Sequence, residues 1–306
     1  MIFDTQINTD PDTSQQNLFG EDDRPVVNVA QVPQRSPFRY AGGKTWFVPH
    51  ARAWLRHRAE TAGRVGCLVE PFAGGGIVGL TAAFEGLADR VVLCELDPDV
   101  AAVWQAVTGG DADALAARIE AFDLCEATVN DLLATPAADT LGRAFQTIVR
   151  NRVNRGGILA PGVGRLKVGE NGRGLLSRWY PATLARRIRA IGALPAGRIV
   201  AVEGDALDAL HAYGDAPDAA CFIDPPYTAG GKNAGARLYR HHALDHAALF
   251  ATASALAGDV LMTYDDAPEV REQAARHGLA VATVPMKSTH HARHDELVVG
   301  RDLRWM

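Results

Sequence analysis

Short apolar runs alternate with helical stretches from residue 64 to the end of the chain, and few folds tolerate that alternation. The runs are Arg64–Glu70, Arg90–Leu96, Ile199–Glu203, Ala219–Ile223, Val260–Tyr264, Leu279–Val284 and Glu296–Val299. Their bounding Gly, Pro and Asp residues mark them as strands. Helices are expected near 75–88, 98–108, 206–212, 246–257 and 267–277, with Asp245 as N-cap of the stretch at 246–257. Strands joined by helices pair in parallel, since the crossover returns the chain to the same end of the sheet. The expected class is therefore α/β, with a mostly parallel, doubly wound sheet.

One interval breaks the rhythm. About a hundred residues separate Asp97 from Ile199, whereas a crossover needs only a dozen or more. The surplus is read as an inserted subdomain, helical over about 98–150 and loop or hairpin over Asn151–Gly174. The expected organisation is a tail at 1–35, a first core segment at 36–103, an insert at 104–195 and a second core segment at 196–306. The tail is rich in Asp, Asn, Gln, Thr and Pro and is expected to be disordered.

Charge points to the same insert. The net charge is −5, yet residues 143–190 carry eleven Lys or Arg against one acid, Glu170, a local +10 that leaves −15 elsewhere. A basic segment on an acidic chain suits a polyanion gripped at one place, although a solvated basic face has the same composition. Cys67, Cys94, Cys125 and Cys221 form no CxxC pair, and three lie in apolar runs, as thiols of a reducing cytosol do. No apolar run reaches eighteen residues, and the polar, acidic N-terminus lacks a secretory layout, so neither a membrane span nor a signal is expected.

Two places carry chemistry. Ala73-Gly74-Gly75-Gly76 follows a strand and opens a helix, where glycines let backbone approach a ligand. Packing alone also selects such glycines. Glu95 ends the next strand about twenty residues on, placed to accept from both hydroxyls of a ribose, or to complement a helix start. Asp224-Pro225-Pro226-Tyr227 leaves the run Ala219–Ile223, and ligands of open parallel sheets bind beyond strand carboxyl ends. The prolines hold the tetrapeptide extended, so the Asp224 carboxylate and the Pro225 carbonyl face one space. Two acceptors pulling on an exocyclic amine favour a pyramidal nitrogen whose lone pair can attack a methyl group, and Tyr227 offers a face for a base.

Phe38-Arg39-Tyr40-Ala41-Gly42-Gly43-Lys44, Glu70-Pro71-Phe72-Ala73-Gly74-Gly75-Gly76 and Asp224-Pro225-Pro226-Tyr227, in that order, resemble Dam-type DNA adenine methyltransferases. Asn151-Arg152 through Gly156-Gly157, Gly204-Asp205, and Thr289-His290-His291 through Asp295-Glu296-Leu297-Val298 extend the resemblance over about 36–306. It implies a Rossmann-like class I methyltransferase with a largely helical target-recognition insert. S-adenosylmethionine is the implied cofactor and double-stranded DNA the implied partner. Carried over position by position, Tyr40, Ala41, Gly42, Gly43 and Lys44 border the cofactor's methionine end. Phe72, Gly74 and Gly76 form its turn, Glu95 holds the ribose and Asp205 the adenine amine, and Glu70, Ala73, Leu96 and Ala206 also line the cofactor site. Asp224 borders both cofactor and target, and Asp224, Pro225, Pro226 and Tyr227 handle the target base. Related cytosine-N4 enzymes usually carry Ser at the Asp224 position, which favours adenine N6.

A buried N6 must be extruded from the duplex, and Arg150, Arg152, Arg155, Arg165 and Lys167 form the pool expected to hold phosphates. Cytosine N4, RNA adenine, and a catalytically silent DNA-binding protein are the alternatives. No Cys or carboxylate pattern completes a zinc set with His290, His291 and His294 or with His241, His242 and His246, so no metal is expected. Gln15-Gln16-Asn17-Leu18-Phe19 resembles the short peptide by which bacterial proteins dock on the replication sliding clamp. A cognate restriction endonuclease and a cytoplasmic, nucleoid-associated setting complete the expected context.

Overall fold

The two strands at the centre of the sheet, β1 (Cys67–Glu70) and β4 (Ala219–Ile223), are buried at every position, as suits strands that are apolar apart from Glu70 at the end of β1. In the computed structural model, residues 27–40, 42–169, 172–227, 240, 243–287 and 293–306 are described. The remaining strands are β2 (Arg90–Glu95), β3 (Ile199–Glu203), β5 (Asp259–Asp265), β6 (Ala280–Lys287) and β7 (Arg293–Gly300). The seven form one sheet in the order β3-β2-β1-β4-β5-β7-β6. The first five run parallel, and β7 runs antiparallel to both its neighbours. All seven expected strands are present, with ends shifted by a few residues.

Alternate residues of the strands feed two cores, which makes the sheet doubly wound. Leu68, Leu93, Ala220, Phe222 and Leu261 face one side. There they meet α1 (Val48–Ala62), α2 (Ile77–Glu85) and α3 (Pro98–Thr108). Val69, Val92, Cys221, Ile223 and Met262 face the other, against the turn of α8 (Ala206–Ala209), α9 (His246–Ala255) and α10 (Pro268–Arg276). The α8 turn runs on into a π-helical turn over Leu210–Gly214. Asp245 caps α9, its carboxylate accepting from the Ala248 N–H at 2.9 Å. Cys67, Cys94 and Cys221 are buried thiols, and Cys125 is an exposed one.

Helix α1 has no counterpart in the strand-and-helix reading of the sequence. Its buried face, Val48, Ala51, Trp54, Leu55 and Arg58, has helical spacing, but the charged Arg58 and two other arginines, Arg52 and Arg56, dilute the signal. Arg58 is held by the carbonyls of Gly63 at 2.9 Å and Pro217 at 2.6 Å, and the Trp54 indole donates to Asp259 at 2.8 Å.

Part of the stretch expected as a tail is ordered. Residues 27–35 lie on the body: Val32 is buried and Arg35 pairs with Glu85 at 2.9 Å. Val32, with Val27 partly buried against the same core, gives even this polar stretch something to bury.

Between β2 and β3 the chain forms α3, α4 (Ala112–Ala121), α5 (Glu126–Ala134), α6 (Thr140–Val153) and α7 (Pro181–Gly192). Buried residues of α4, α6 and α7, among them Leu115, Ile148 and Ile188, join the core of the α1–α3 side. The segment after α6 doubles back through a bridge between Asn154 and Arg165. Among the described residues, no helix is long and apolar enough to cross a membrane.

Candidate active site

The strand order lines up the chemical groups. Asp205 follows β3, Glu95 ends β2, the glycine turn follows β1, and Asp224 follows β4. Adjacent strands lie about 4.8 Å apart, so three steps spread these groups over roughly 14 Å of one sheet edge.

Gly74 and Gly76 both have positive φ, 46° and 60°, a region open to glycine and strained for other residues. A Cβ on Gly74 would stand 2.6 Å from the Tyr40 ring, and one on Gly76 2.9 Å from Trp104. The turn is pinned from both sides. Glu95 Oε2 accepts from the Gly74 N–H at 2.9 Å, and the Trp104 indole donates to the Gly74 carbonyl at 3.1 Å. Glu95 Oε1 accepts from the Asp97 N–H at 3.1 Å. Each oxygen of this carboxylate thus retains capacity for another donor, as two ribose hydroxyls need. Burial pushes the Glu95 carboxyl up to about 7, against the pull of those N–H groups. Leu96 beside it is 44% exposed, an apolar surface at the strand tip.

Glu70 lies beneath the turn. It is buried, accepts from the Gly79 N–H at 2.8 Å, and burial raises it to about 8. Phe72 is half-buried against the α9 side, while Ala73 is buried and donates its N–H to the Cys94 carbonyl at 2.9 Å. Asp205 is exposed and caps the α8 turn through the Leu207 N–H at 2.8 Å, and Ala206 is buried. Gly42 and Gly43 are exposed, and Ala41 lies outside the described residues.

Asp224 sits among donors. Its Oδ1 is 3.0 Å from Lys44 Nζ, and accepts from Thr263 Oγ1 at 2.8 Å and from the Tyr227 hydroxyl at 3.1 Å. The Tyr227 hydroxyl is also 2.9 Å from Glu296 Oε2, and Lys44 Nζ lies 3.6 Å from the same oxygen. Lys44 is buried, donates to the Gly42 carbonyl at 3.1 Å, and lies 4.9 Å from the centre of the Tyr227 ring. Burial would lower its pKa, but Asp224 and Glu296 outweigh that and hold it above the usual lysine value. Burial raises Glu296 to about 6, Lys44 pulling it down and Asp224 pushing it up. Tyr227 stacks on Tyr264 at 6.0 Å and 24°. Its hydroxyl is raised well above its ordinary pKa, first by burial and then by the two carboxylates. Pro225 is buried and Pro226 half-buried.

Thr263, Tyr264 and Glu296, the last noted in the sequence only within the C-terminal strand motif, join this constellation without having been expected in the site. The signal for Glu296 was available: a carboxylate opening an apolar strand must find a partner if it is buried.

The basic pool divides. Arg152 is buried, its guanidinium bonded to the Pro37 carbonyl, and burial with the nearby Arg187, Arg39 and Arg178 lowers it to about 9. It holds the chain together, so a phosphate has no access to it in this arrangement. Arg150 pairs with Asp99 at 2.9 Å, and Arg165 bonds Asn130. Arg155 and Lys167 are exposed and line a surface cavity with Arg39 and Arg178. Asn151, fully buried, accepts from the Arg39 N–H at 3.0 Å and donates to the carbonyls of Arg39 at 2.8 Å and Gly157 at 2.6 Å. The Asn151-Arg152 pair therefore clamps residues 37–39 to the insert. His241, His242, His290 and His291 lie outside the described residues.

A sheet in this order, with its antiparallel strand between β5 and β6 and acceptors along the tips of β2 and β4, is the Rossmann-like class I methyltransferase fold. Residues 40–131 match the model of the D12 class N6 adenine-specific DNA methyltransferases, the family that the motifs at 38–44 and 70–76 resemble. Among solved structures, the chain is similar to a candidate RNA methyltransferase from Pyrococcus horikoshii, at 11% identity and a TM-score of 0.36. That likeness covers 81% of this chain and 78% of the other. Comparison with curated proteins returns no match.

Proposed function

We propose that this chain is a site-specific DNA methyltransferase that modifies adenine N6, using S-adenosylmethionine and an extruded target base. One observation carries the reading. A single sheet edge holds a glycine turn pinned by a carboxylate with spare acceptor capacity, and next to it a second carboxylate among ordered donors. The first suits a nucleoside cofactor, and the second suits an amine.

The cofactor fits the residues present. Glu95 would hold the ribose, the Gly74–Gly76 backbone the methionine portion, and Leu96 with Asp205 the adenine. S-adenosylmethionine would supply a sulfonium-bound methyl whose carbon takes the amine's lone pair while the S–C electrons stay on sulfur, leaving one surplus proton on N6. Asp224 and the Pro225 carbonyl orient the two N–H groups, and the Asp224 carboxylate stands in place to receive that proton. Positioning supplies most of the rate, because the leaving thioether needs no acid. Arg155 and Lys167, with Arg39 and Arg178 across the cavity, are the best-placed phosphate contacts, and the insert at 104–195 is the recognition part. The preference for adenine over cytosine N4 rests on Asp224.

The test is transfer of labelled methyl groups to duplex DNA, followed by digestion and separation of the nucleosides. Label in N6-methyladenine that disappears in Asp224→Ala supports the reading. Label in N4-methylcytosine, label in RNA alone, or transfer retained by Asp224→Ala would sink it.

A further inference from the structure

Asp224 Oδ1 is oversubscribed. Three donors converge on it, from Lys44, Thr263 and Tyr227, whereas a carboxylate oxygen offers about two lone-pair directions. An exocyclic amine that arrives at Oδ1 needs one of those directions, so a donor at that oxygen must yield. Two of the three share an alternative. The single Tyr227 hydroxyl proton lies within reach of both Asp224 Oδ1 at 3.1 Å and Glu296 Oε2 at 2.9 Å, and serves one at a time. Lys44 has three protons. It bonds the Gly42 carbonyl and Asp224, and stands 3.6 Å from Glu296 Oε2, just outside bonding range.

We propose that Glu296 is a positioning residue for the methyl-accepting site: it is the acceptor that receives Tyr227 and Lys44 when a target amine claims Asp224. The inference rests on the reading of Asp224 given above. No covalent bond changes in this exchange. Tyr227 keeps its shorter contact, Lys44 closes the remaining gap to Glu296, and Asp224 Oδ1 is left with Thr263 and the amine. The fold makes the arrangement possible. Because β7 runs antiparallel beside β5, Glu296 falls opposite Asp265, at the end of the sheet where β4 delivers Asp224.

The exchange needs a charged acceptor. A neutral side chain of the same shape is a weaker partner for an ammonium and a hydroxyl, and leaves both on Asp224. The ionisable groups facing Glu296 are Lys44 before α1, Asp224 and Tyr227 after β4, and Asp265 on β5. With its carboxyl raised to about 6, the working form predominates at neutral pH and is lost in mild acid. Glu95, raised to about 7, sits at the β2 tip away from this cluster and acts on the cofactor side.

The test compares wild type, Glu296→Gln and Glu296→Asp on duplex DNA at saturating S-adenosylmethionine, with kcat measured from pH 5 to 9. Calorimetric cofactor affinity and the urea midpoint are measured alongside. The expected result is a wild-type acid limb near pH 6. Glu296→Gln should lose about tenfold to a hundredfold in kcat at pH 8 together with that limb. Cofactor affinity and midpoint should stay close to wild type, and Glu296→Asp should restore part of both rate and limb. A Glu296→Gln enzyme with unchanged kcat overturns the inference, as does loss of activity matched by loss of cofactor binding without rescue by Asp. Should Glu296→Gln fail to fold, a wild-type profile flat from pH 5 to 7 overturns it equally. An inactive wild type would instead remove the underlying reading of Asp224, and this inference with it.

Discussion

Removing the Asn151 side chain should cost far more stability than a residue on a DNA-reading loop warrants. The amide is fully buried and makes three hydrogen bonds, two to the Arg39 backbone and one to the Gly157 carbonyl. At roughly 1 kcal/mol net per bond, Asn151→Ala forfeits about 3 kcal/mol, and more if the exposed backbone groups find no water. A surface change away from such features stays within about 0.5 kcal/mol. In urea, with a slope near 3 kcal/mol/M for a chain of this size, the midpoint should fall by about 1 M. Asn151→Asp should do no better: it keeps the acceptor for the Arg39 N–H but sets a carboxylate against two carbonyl oxygens. Circular dichroism followed through the urea titration gives the midpoint, and equilibrium DNA binding of the folded variant gives the affinity. A midpoint within about 0.2 M of wild type, combined with lost DNA affinity, would refute the clamp and return Asn151 to the recognition surface.

Glu70→Gln should flatten the pH dependence of stability. The folded carboxyl titrates near 8 against 4.5 unfolded, so the folded state binds the extra proton between those values and stability falls as pH rises through that window. At pH 7 the variant should gain up to about 3 kcal/mol, and parallel urea midpoints at pH 5 and 8 for the two proteins would contradict this. Glu95→Ala should weaken cofactor binding about tenfold or more by calorimetry while DNA affinity holds, since the carboxylate faces the turn and not the insert. Neutralising Arg155, Arg165 and Lys167 together should reduce the slope of log affinity against log salt by up to roughly three; an unchanged slope would place DNA elsewhere. Gln15–Phe19 lie outside the described residues. A pull-down with the host sliding clamp that is indifferent to Leu18→Ala with Phe19→Ala would dismiss that proposed partner.

The alternation of apolar runs was enough to reveal the sheet, because central strands buried on both faces must be almost wholly apolar, as β4 is and as β1 is up to Glu70. The strand tips were legible for the same reason. A polar residue that closes an apolar run, such as Glu95 or Asp224, stands out against its background. Long-range partnership was not legible. Asn151 meets Arg39 across 112 positions, and Glu296 meets Tyr227 across 69. Nothing local distinguishes Arg152, held inside by a carbonyl, from Arg155, left in solvent. Helix α1 escaped notice because one of its inward-facing residues is Arg58, whose charge is satisfied by two backbone carbonyls that only the folded chain supplies.

The clamp at Asn151 and Arg152 sets a condition on transplanting specificity. The segment between β2 and β3 looks exchangeable, a cassette with both ends stitched to neighbouring strands. Yet its two anchoring side chains reach out of the cassette to residues 37–39, immediately ahead of Tyr40 and Lys44. A donor module lacking that pair would leave Lys44 on a loosened leash, and under the proposed function the chimaera would lose turnover whatever sequence it had learned to find.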